Sequence, residues 1–264
     1  MNRVVPGMLM AGAWVGLLLL APLGVFWCVV VVIATLALGE FFRLGKAFQQ
    51  RLLLNGAVLT GILPVIFSLG ATPAWLAAGM TASLVLGMIF CLAFFTRLDD
   101  PLTVLGHTGF AAFYLSLTLG HLVLLHALPQ GAFWLLVLTA ITAGSDTGAY
   151  YSGRFFGRRK LCPLISPKKT VAGAVGGVLC GTFAAMAMAW LLAVDTSFFV
   201  LLLISPVLVV VGIIGDLAES VLKRAAGVKD SGALLGGHGG VLDRIDSLLL
   251  TAPVLYYCLL AGIL

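Results

Sequence analysis

Charge is what this sequence has least of. Only 9% of its 264 residues are Asp, Glu, Lys or Arg, against about 25% in an ordinary soluble domain. That scarcity excludes a soluble globular domain. Together with 61% hydrophobic residues it also excludes disorder, which needs low hydrophobicity and high charge. Cysteine is sparse and unpatterned. The five, Cys28, Cys91, Cys162, Cys180 and Cys258, are odd in number and form no C-x-x-C. They imply neither a disulfide framework nor a zinc site and read as small core residues. A basic domain is missing too. The pI is near 9.1, but fifteen Lys and Arg spread over so much apolar chain make no nucleic-acid footprint, and no nucleic-acid partner is expected. There is no G-x-x-x-x-G-K-[ST] phosphate loop, no internal repeat and no low-complexity segment.

Long apolar runs fill the chain instead, and the mean hydropathy is +1.16. At about 20 residues per crossing, the runs read as an all-α integral membrane protein of about nine transmembrane helices. Their expected limits are Val4–Leu20, Val25–Phe42, Leu52–Leu69, Ala74–Phe95, Thr103–Leu125, Gly131–Tyr151, Val171–Val194, Ser197–Leu222 and Ile245–Ile263. The first run superficially resembles a signal peptide, but a second follows almost at once, so a membrane hairpin is the better reading. Positive charge sets the orientation. With Arg3 inside, the inner loops are Arg43–Arg51, the Arg97 loop, Arg154–Lys169 and Lys223–Arg244, and all fifteen Lys and Arg fall on that side. The N-terminus is then cytoplasmic and the C-terminus outside. The expected location is the inner (cytoplasmic) membrane of a cell, as a multi-pass protein embedded in the lipid bilayer. Gly144-x-x-x-Gly148 and Gly177-x-x-x-Gly181 have the spacing of close helix packing, and such faces also allow a homodimer.

Polar chemistry divides the chain in two. Residues 1–130 form about five helices with few polar groups. Glu40 is an intramembrane carboxylate there and a candidate by default. His107, His121 and His126 share no tight metal spacing and read as packing or interfacial residues. Residues 131–264 carry three polar clusters on the inner side. Asp146 closes the sixth helix within Ser145-Asp146-Thr147-Gly148-Ala149-Tyr150. Lys168 and Lys169, in Ser166-Pro167-Lys168-Lys169-Thr170, precede the seventh and suit phosphate oxygens as point charges. Asp216, Glu219, Ser220 and Lys223 lie at i, i+3, i+4 and i+7, one helix face. After them come Arg224, Lys229-Asp230, Gly236-Gly237-His238-Gly239-Gly240 and Asp243-Arg244-Ile245-Asp246. Asp243 and Asp246, three apart, can face one cavity. Glycine-rich backbone lets N–H groups approach phosphate, and His238 is placed to donate a hydrogen bond or anchor the loop. Several carboxylates, several cations and such a loop suit a phosphorylated substrate with Mg²⁺.

The pattern Ser220-x-x-Lys223-Arg224, Lys229-Asp230-x-Gly232, His238-Gly239-Gly240-x-x-Asp243-Arg244-x-Asp246 closely resembles the phosphatidate cytidylyltransferase (CDP-diacylglycerol synthase) family. Asp146-Thr147-Gly148-Ala149-Tyr150 and Ser166–Thr170 resemble that family's upstream blocks, in its order. Two departures stand out. Val171-Ala172 replaces a bulky residue followed by Glu or Gln, and Gly236-Gly237 replaces Pro-Gly. The resemblance implies a Mg²⁺-dependent nucleotidyltransferase of phospholipid biosynthesis, which converts CTP and phosphatidic acid to CDP-diacylglycerol and pyrophosphate. It implies a metal pair on Asp216 and Asp243, so that a second ion accompanies Mg²⁺. Asp216, Asp243, Asp246, Lys223 and Arg224 would be catalytic. Asp146, Lys168, Lys169, Ser220, Lys229, His238, Gly239, Gly240 and Arg244 would hold CTP and the lipid head group. The alternatives are a membrane transporter of a phosphorylated metabolite and an inactive or divergent relative acting on another lipid phosphate.

Overall fold

A computed structural model describes residues 4–45, 48, 50–232 and 239–264. Among the described residues there are nine long helical segments: α1 (Val4–Leu20), α2 (Leu23–Leu44), α3 (Arg51–Gly70), α4 (Pro73–Ala93), α5 (Pro101–Ala127), α6 (Gly131–Phe156), α7 (Val171–Leu191), α8 (Phe198–Ala225) and α9 (Leu242–Leu260). Seven, α2 through α8, are long and apolar enough to cross a bilayer. The α1 helix has 17 residues. The α9 helix has 19 and carries Asp243, Arg244 and Asp246 in its first turns. Leu92, Phe183 and Trp190 are among many large apolar side chains left exposed. This inside-out surface is the one that lipid covers.

Each helix matches an expected run, and the ends that moved have local causes. Asp100 caps α5, taking the Thr103 N–H at 3.1 Å and the Thr103 hydroxyl, with Pro101 in the first turn. Those bonds hold the Asp100 carboxyl below its usual range. Pro64, which has no N–H to give, breaks α3 near Ile62 into two α-helical pieces and a final 3₁₀ turn. A π-helical stretch, Ala112–Leu117, widens the middle of α5. The α6 helix runs on to Phe156, well beyond the expected Tyr151. Beyond it the expected loop contains a β-hairpin, β1 (Lys160–Cys162) against β2 (Ser166–Thr170), pairing Lys160 with Thr170 and Cys162 with Ser166. Thr170 ends the hairpin and caps α7 by accepting the Gly173 N–H at 3.0 Å.

Contacts between loops sort the helix ends into two sets. At the basic end, the α8–α9 connection meets α2, and Arg224 donates to the Ile165 carbonyl of the hairpin at 3.3 Å. At the other end, the Asp195 N–H donates to Gln130 Oε1 at 3.0 Å, and Phe26 stacks on His126 at 4.4 Å. For the helices these contacts join, successive ends fall alternately in the two sets. The histidines pack as expected: His107 and His121 each set Nδ1 2.8 Å from the carbonyl four residues back. The cysteines are free, but only Cys91 is buried, and Cys28 and Cys180 are exposed.

Small residues let α6 and α7 approach until their backbones touch. A Cβ added at Gly148 would lie 2.5 Å from the Gly176 carbonyl, and one at Gly181 would lie 3.0 Å from the Ile141 carbonyl. The faces that the sequence offers to a dimer are thus used within the chain. Trp14 of α1 joins the bundle by donating to Thr139 of α6 at 3.0 Å. A Gly148→Val substitution is expected to destabilise the protein by about 1–3 kcal/mol through overpacking. Thermal unfolding in mild detergent reads this as a lowered midpoint; an unchanged midpoint would show that α6 and α7 can part at little cost.

Candidate active site

The polar stripe lies where α8 and α9 meet. Asp216, Glu219 and Lys223 recur at helical spacing on α8, so all three look toward α9 and the hairpin. Lys169 of β2 pairs with Asp216. Lys223 lies between two carboxylates, pairing with Glu219 and donating to Asp243 Oδ1 at 2.5 Å. Asp243 is further satisfied at Oδ2 by the Ser231 N–H at 3.1 Å and the Gly240 N–H at 2.8 Å. Gly239 adopts φ +80°, a conformation that L side chains avoid, and a Cβ there would meet Asp243 Oδ2 at 2.8 Å. The glycines of the loop therefore serve a carboxylate as well as leaving backbone open.

The carboxylates that converge are Asp216, Glu219 and Asp246. Each offers an oxygen, and these oxygens lie within 4.8 Å of one another. Asp246 takes the N–H of its neighbour Ser247 at 2.6 Å. Glu219 is wholly buried, and its Oε1 has no hydrogen-bond partner among the described residues. A buried carboxylate oxygen without a donor is costly unless a proton or a cation answers it. Three clustered carboxylates and one such oxygen fit the oxygen coordination that Mg²⁺ takes. The expected ligand Asp216 is in this group. Asp243, the other expected ligand, lies one step away, with Lys223 and the loop N–H groups around it.

A cavity of about 400 Å³ opens beside this cluster, between α6, α7, α8 and the hairpin. Asp146, Arg154, Lys168, Lys169 and Asp216 line its polar part, and Ile141, Leu208, Val209 and Ile213 line the rest. It therefore offers a charged end and an oily end to one ligand. Lys168 is exposed and Lys169 half-buried. Beyond the pair with Asp216, Lys169 Nζ makes no hydrogen bond among the described residues. Arg224 uses its guanidinium on the Ile165 and Val228 carbonyls, the latter at 3.1 Å, and so ties hairpin to helix end. Ser220 is half-buried on α8, and Lys229 and Arg244 are exposed at the basic end. His238, with Gly236 and Gly237, lies outside the described residues.

Three contributors were given no site role from the sequence, the first being Glu219, noted only as part of the α8 stripe and found in the carboxylate cluster. Ser231 follows the Lys229-Asp230 pair and reaches Asp243. Glu40 of α2 accepts from the Val241 and Leu242 N–H groups, at 3.0 Å each, where α9 begins. Glu40 could be flagged as an intramembrane carboxylate, but its partners are some two hundred residues away.

Comparison with known proteins places the chain in one family. The model of the Cytidylyltransferase family matches residues 1–261. Over 137 residues the chain is 42% identical to a phosphatidate cytidylyltransferase of Staphylococcus saprophyticus, covering 52% of this chain and 53% of that one. Over 126 residues it is 44% identical to the protein of the same name from Staphylococcus epidermidis and 42% identical to that from Staphylococcus aureus, covering 48% of each chain. The chain spans about half the length of the curated relatives it matches.

Lys223 compensates two carboxylates at once. Lys223→Met is expected to cost about 3–5 kcal/mol, the usual result of stranding a buried charge. Adding Glu219→Gln should return part of that loss. Thermal midpoints of the two variants and the parent in detergent check both steps, and equal midpoints would remove the lysine from this role.

Proposed function

We propose that this chain, which belongs to the cytidylyltransferase family, transfers the cytidylyl group of CTP to phosphatidic acid, giving CDP-diacylglycerol and pyrophosphate. The observation that carries the reading is the three-carboxylate cluster set beside a cavity that is basic at one end and apolar at the other. A lipid phosphate suits that shape, with its head at Lys168, Lys169 and Arg154 and its glyceride part along Ile141, Leu208 and Val209. Exposed Lys229 and Arg244 are placed to meet a nucleotide triphosphate arriving from water. We assign the basic end to the cytoplasm and count nine crossings, which puts the first residues inside and the last outside. A bacterial inner membrane is the setting that fits.

In the reaction, an oxygen of the lipid phosphate attacks the α-phosphorus of CTP and the bond to the β-phosphate's bridging oxygen breaks. Pyrophosphate leaves with that electron pair. A phosphate monoester is already ionised near neutral pH, so no strong general base is needed, and the protein's work is positioning and charge neutralisation. Lys169 and Lys168 hold the attacking phosphate against its own repulsion from the triphosphate. Arg224 holds the hairpin that carries them. Lys223 keeps Glu219 and Asp243 in place. Asp216, Glu219 and Asp246 would hold Mg²⁺, which supplies positive charge to the phosphate oxygens.

Purified protein in mild detergent is given phosphatidic acid, Mg²⁺ and CTP radiolabelled in the cytidine. Label is expected in the chloroform-soluble fraction, and EDTA should abolish its appearance. Asp216→Asn and Asp246→Asn should each lower the rate by about a hundredfold or more, the scale of losing a main electrostatic group. A parent protein that binds CTP yet labels no lipid would overturn the acceptor, and undiminished turnover in both variants would overturn the carboxylate assignment.

A further inference from the structure

The helices of the first half are apolar apart from a few groups, and one of those groups reaches the site. Glu40 lies near the basic end of α2 and is only 5% exposed. Its Oε1 accepts the Val241 N–H at 3.0 Å; its Oε2 accepts the Leu242 N–H at 3.0 Å and the Ser231 hydroxyl at 3.1 Å. Val241 and Leu242 are the residues at which α9 starts, where N–H groups lack helical partners and the helix dipole favours negative charge. A carboxylate from another helix thus does the work of an N-cap. Ser231 is shared: its hydroxyl also lies 3.1 Å from Asp243 Oδ2.

Two glycines make this contact possible. A Cβ at Gly232 would lie 2.5 Å from Glu40 Oε1, and one at Gly240 would lie 2.8 Å from its carboxyl carbon. Both positions belong to the glycine pattern of the α8–α9 connection. Here they serve as the cradle of a side chain from α2.

We propose that Glu40 is a positioning residue for the active site, fixing the start of α9 so that Asp243 meets Lys223 and Asp246 meets Asp216 and Glu219. The inference rests on the reading of those carboxylates as a cation site. Glu40 touches no substrate in it. It acts as outer partners of metal ligands do, and loss of such partners costs about 10–100-fold in metal affinity or activity.

The test uses Glu40→Gln and Gly232→Ala, which break the same contact from its two sides, in the full-length protein in detergent. Mn²⁺ binding is followed by electron paramagnetic resonance, and turnover by the labelled-lipid assay. Each variant should weaken Mn²⁺ binding at least tenfold and lower kcat by a similar factor, with KM for phosphatidic acid within about twofold. The double variant should be no worse than the poorer single one, because both remove one interaction. Limited trypsin digestion at exposed Arg244 should quicken in both. Unchanged Mn²⁺ affinity would overturn the proposal. So would losses that merely follow a fall in thermal midpoint, which would make Glu40 a stabilising residue only. If the parent labels no lipid but still binds Mn²⁺ more tightly than Glu40→Gln, the substrate reading fails and the role of Glu40 stands. A parent that binds no Mn²⁺ would overturn both.

Discussion

A carboxylate inside a bilayer must be answered by a cation, a proton or a set of N–H groups. The basic end of this protein is built around that demand. Lys169 answers Asp216; Lys223 answers Glu219 and Asp243; the loop N–H groups answer Asp243; the head of α9 answers Glu40. Each answer draws a different element inward, so β2, α8, α9 and α2 are held together by charge where packing alone would leave latitude. Among the described residues, Glu219 Oε1 is left without a hydrogen-bond donor, and the proposed cation site is centred on it.

The apolar framework makes such a network affordable. In lipid there is no hydrophobic drive between helices, so close packing has to supply association. The α6 and α7 helices do this through backbone contact at Gly148 and Gly181. That tight pair carries the hairpin between its ends, and Arg224 pins the hairpin to α8. The cavity lies between this pair, α8 and the hairpin, and its two ends differ in polarity because the hairpin supplies Lys168 and Lys169 while the interior of α6 and α8 supplies Ile141, Leu208 and Val209.

Much of this was legible in the residues. Apolar runs and the one-sided distribution of Lys and Arg located the helices, because bilayer thickness and charge asymmetry act on composition directly. The stripe from Asp216 to Lys223 announced a shared face, because helical spacing does so by itself. The hairpin leaves little trace in the sequence because its strands are only three and five residues long, have Pro163 and Pro167 beside or within them, and show no sustained alternation. Spacing also said that Asp243 and Asp246 could share a cavity, but not that the preceding chain would turn Ser231 and Gly240 onto Asp243. That depends on contacts across the fold. Glu40 was visible as an unusual residue, and its partners were not, since nothing local links position 40 to position 241. The π-helical stretch in α5 left no local mark either.

The span between Glu40 and Val241 bears on how the protein is made. They lie 201 residues apart. Chains emerge at about 5–20 residues per second, so α2 enters the membrane roughly 10–40 s before the backbone that satisfies its carboxylate exists. During that interval Glu40 must reach interfacial water or borrow another donor. The site therefore closes only when α9 is in place, and until then an unfinished chain holds Glu40 without the N–H groups that answer it in the folded protein.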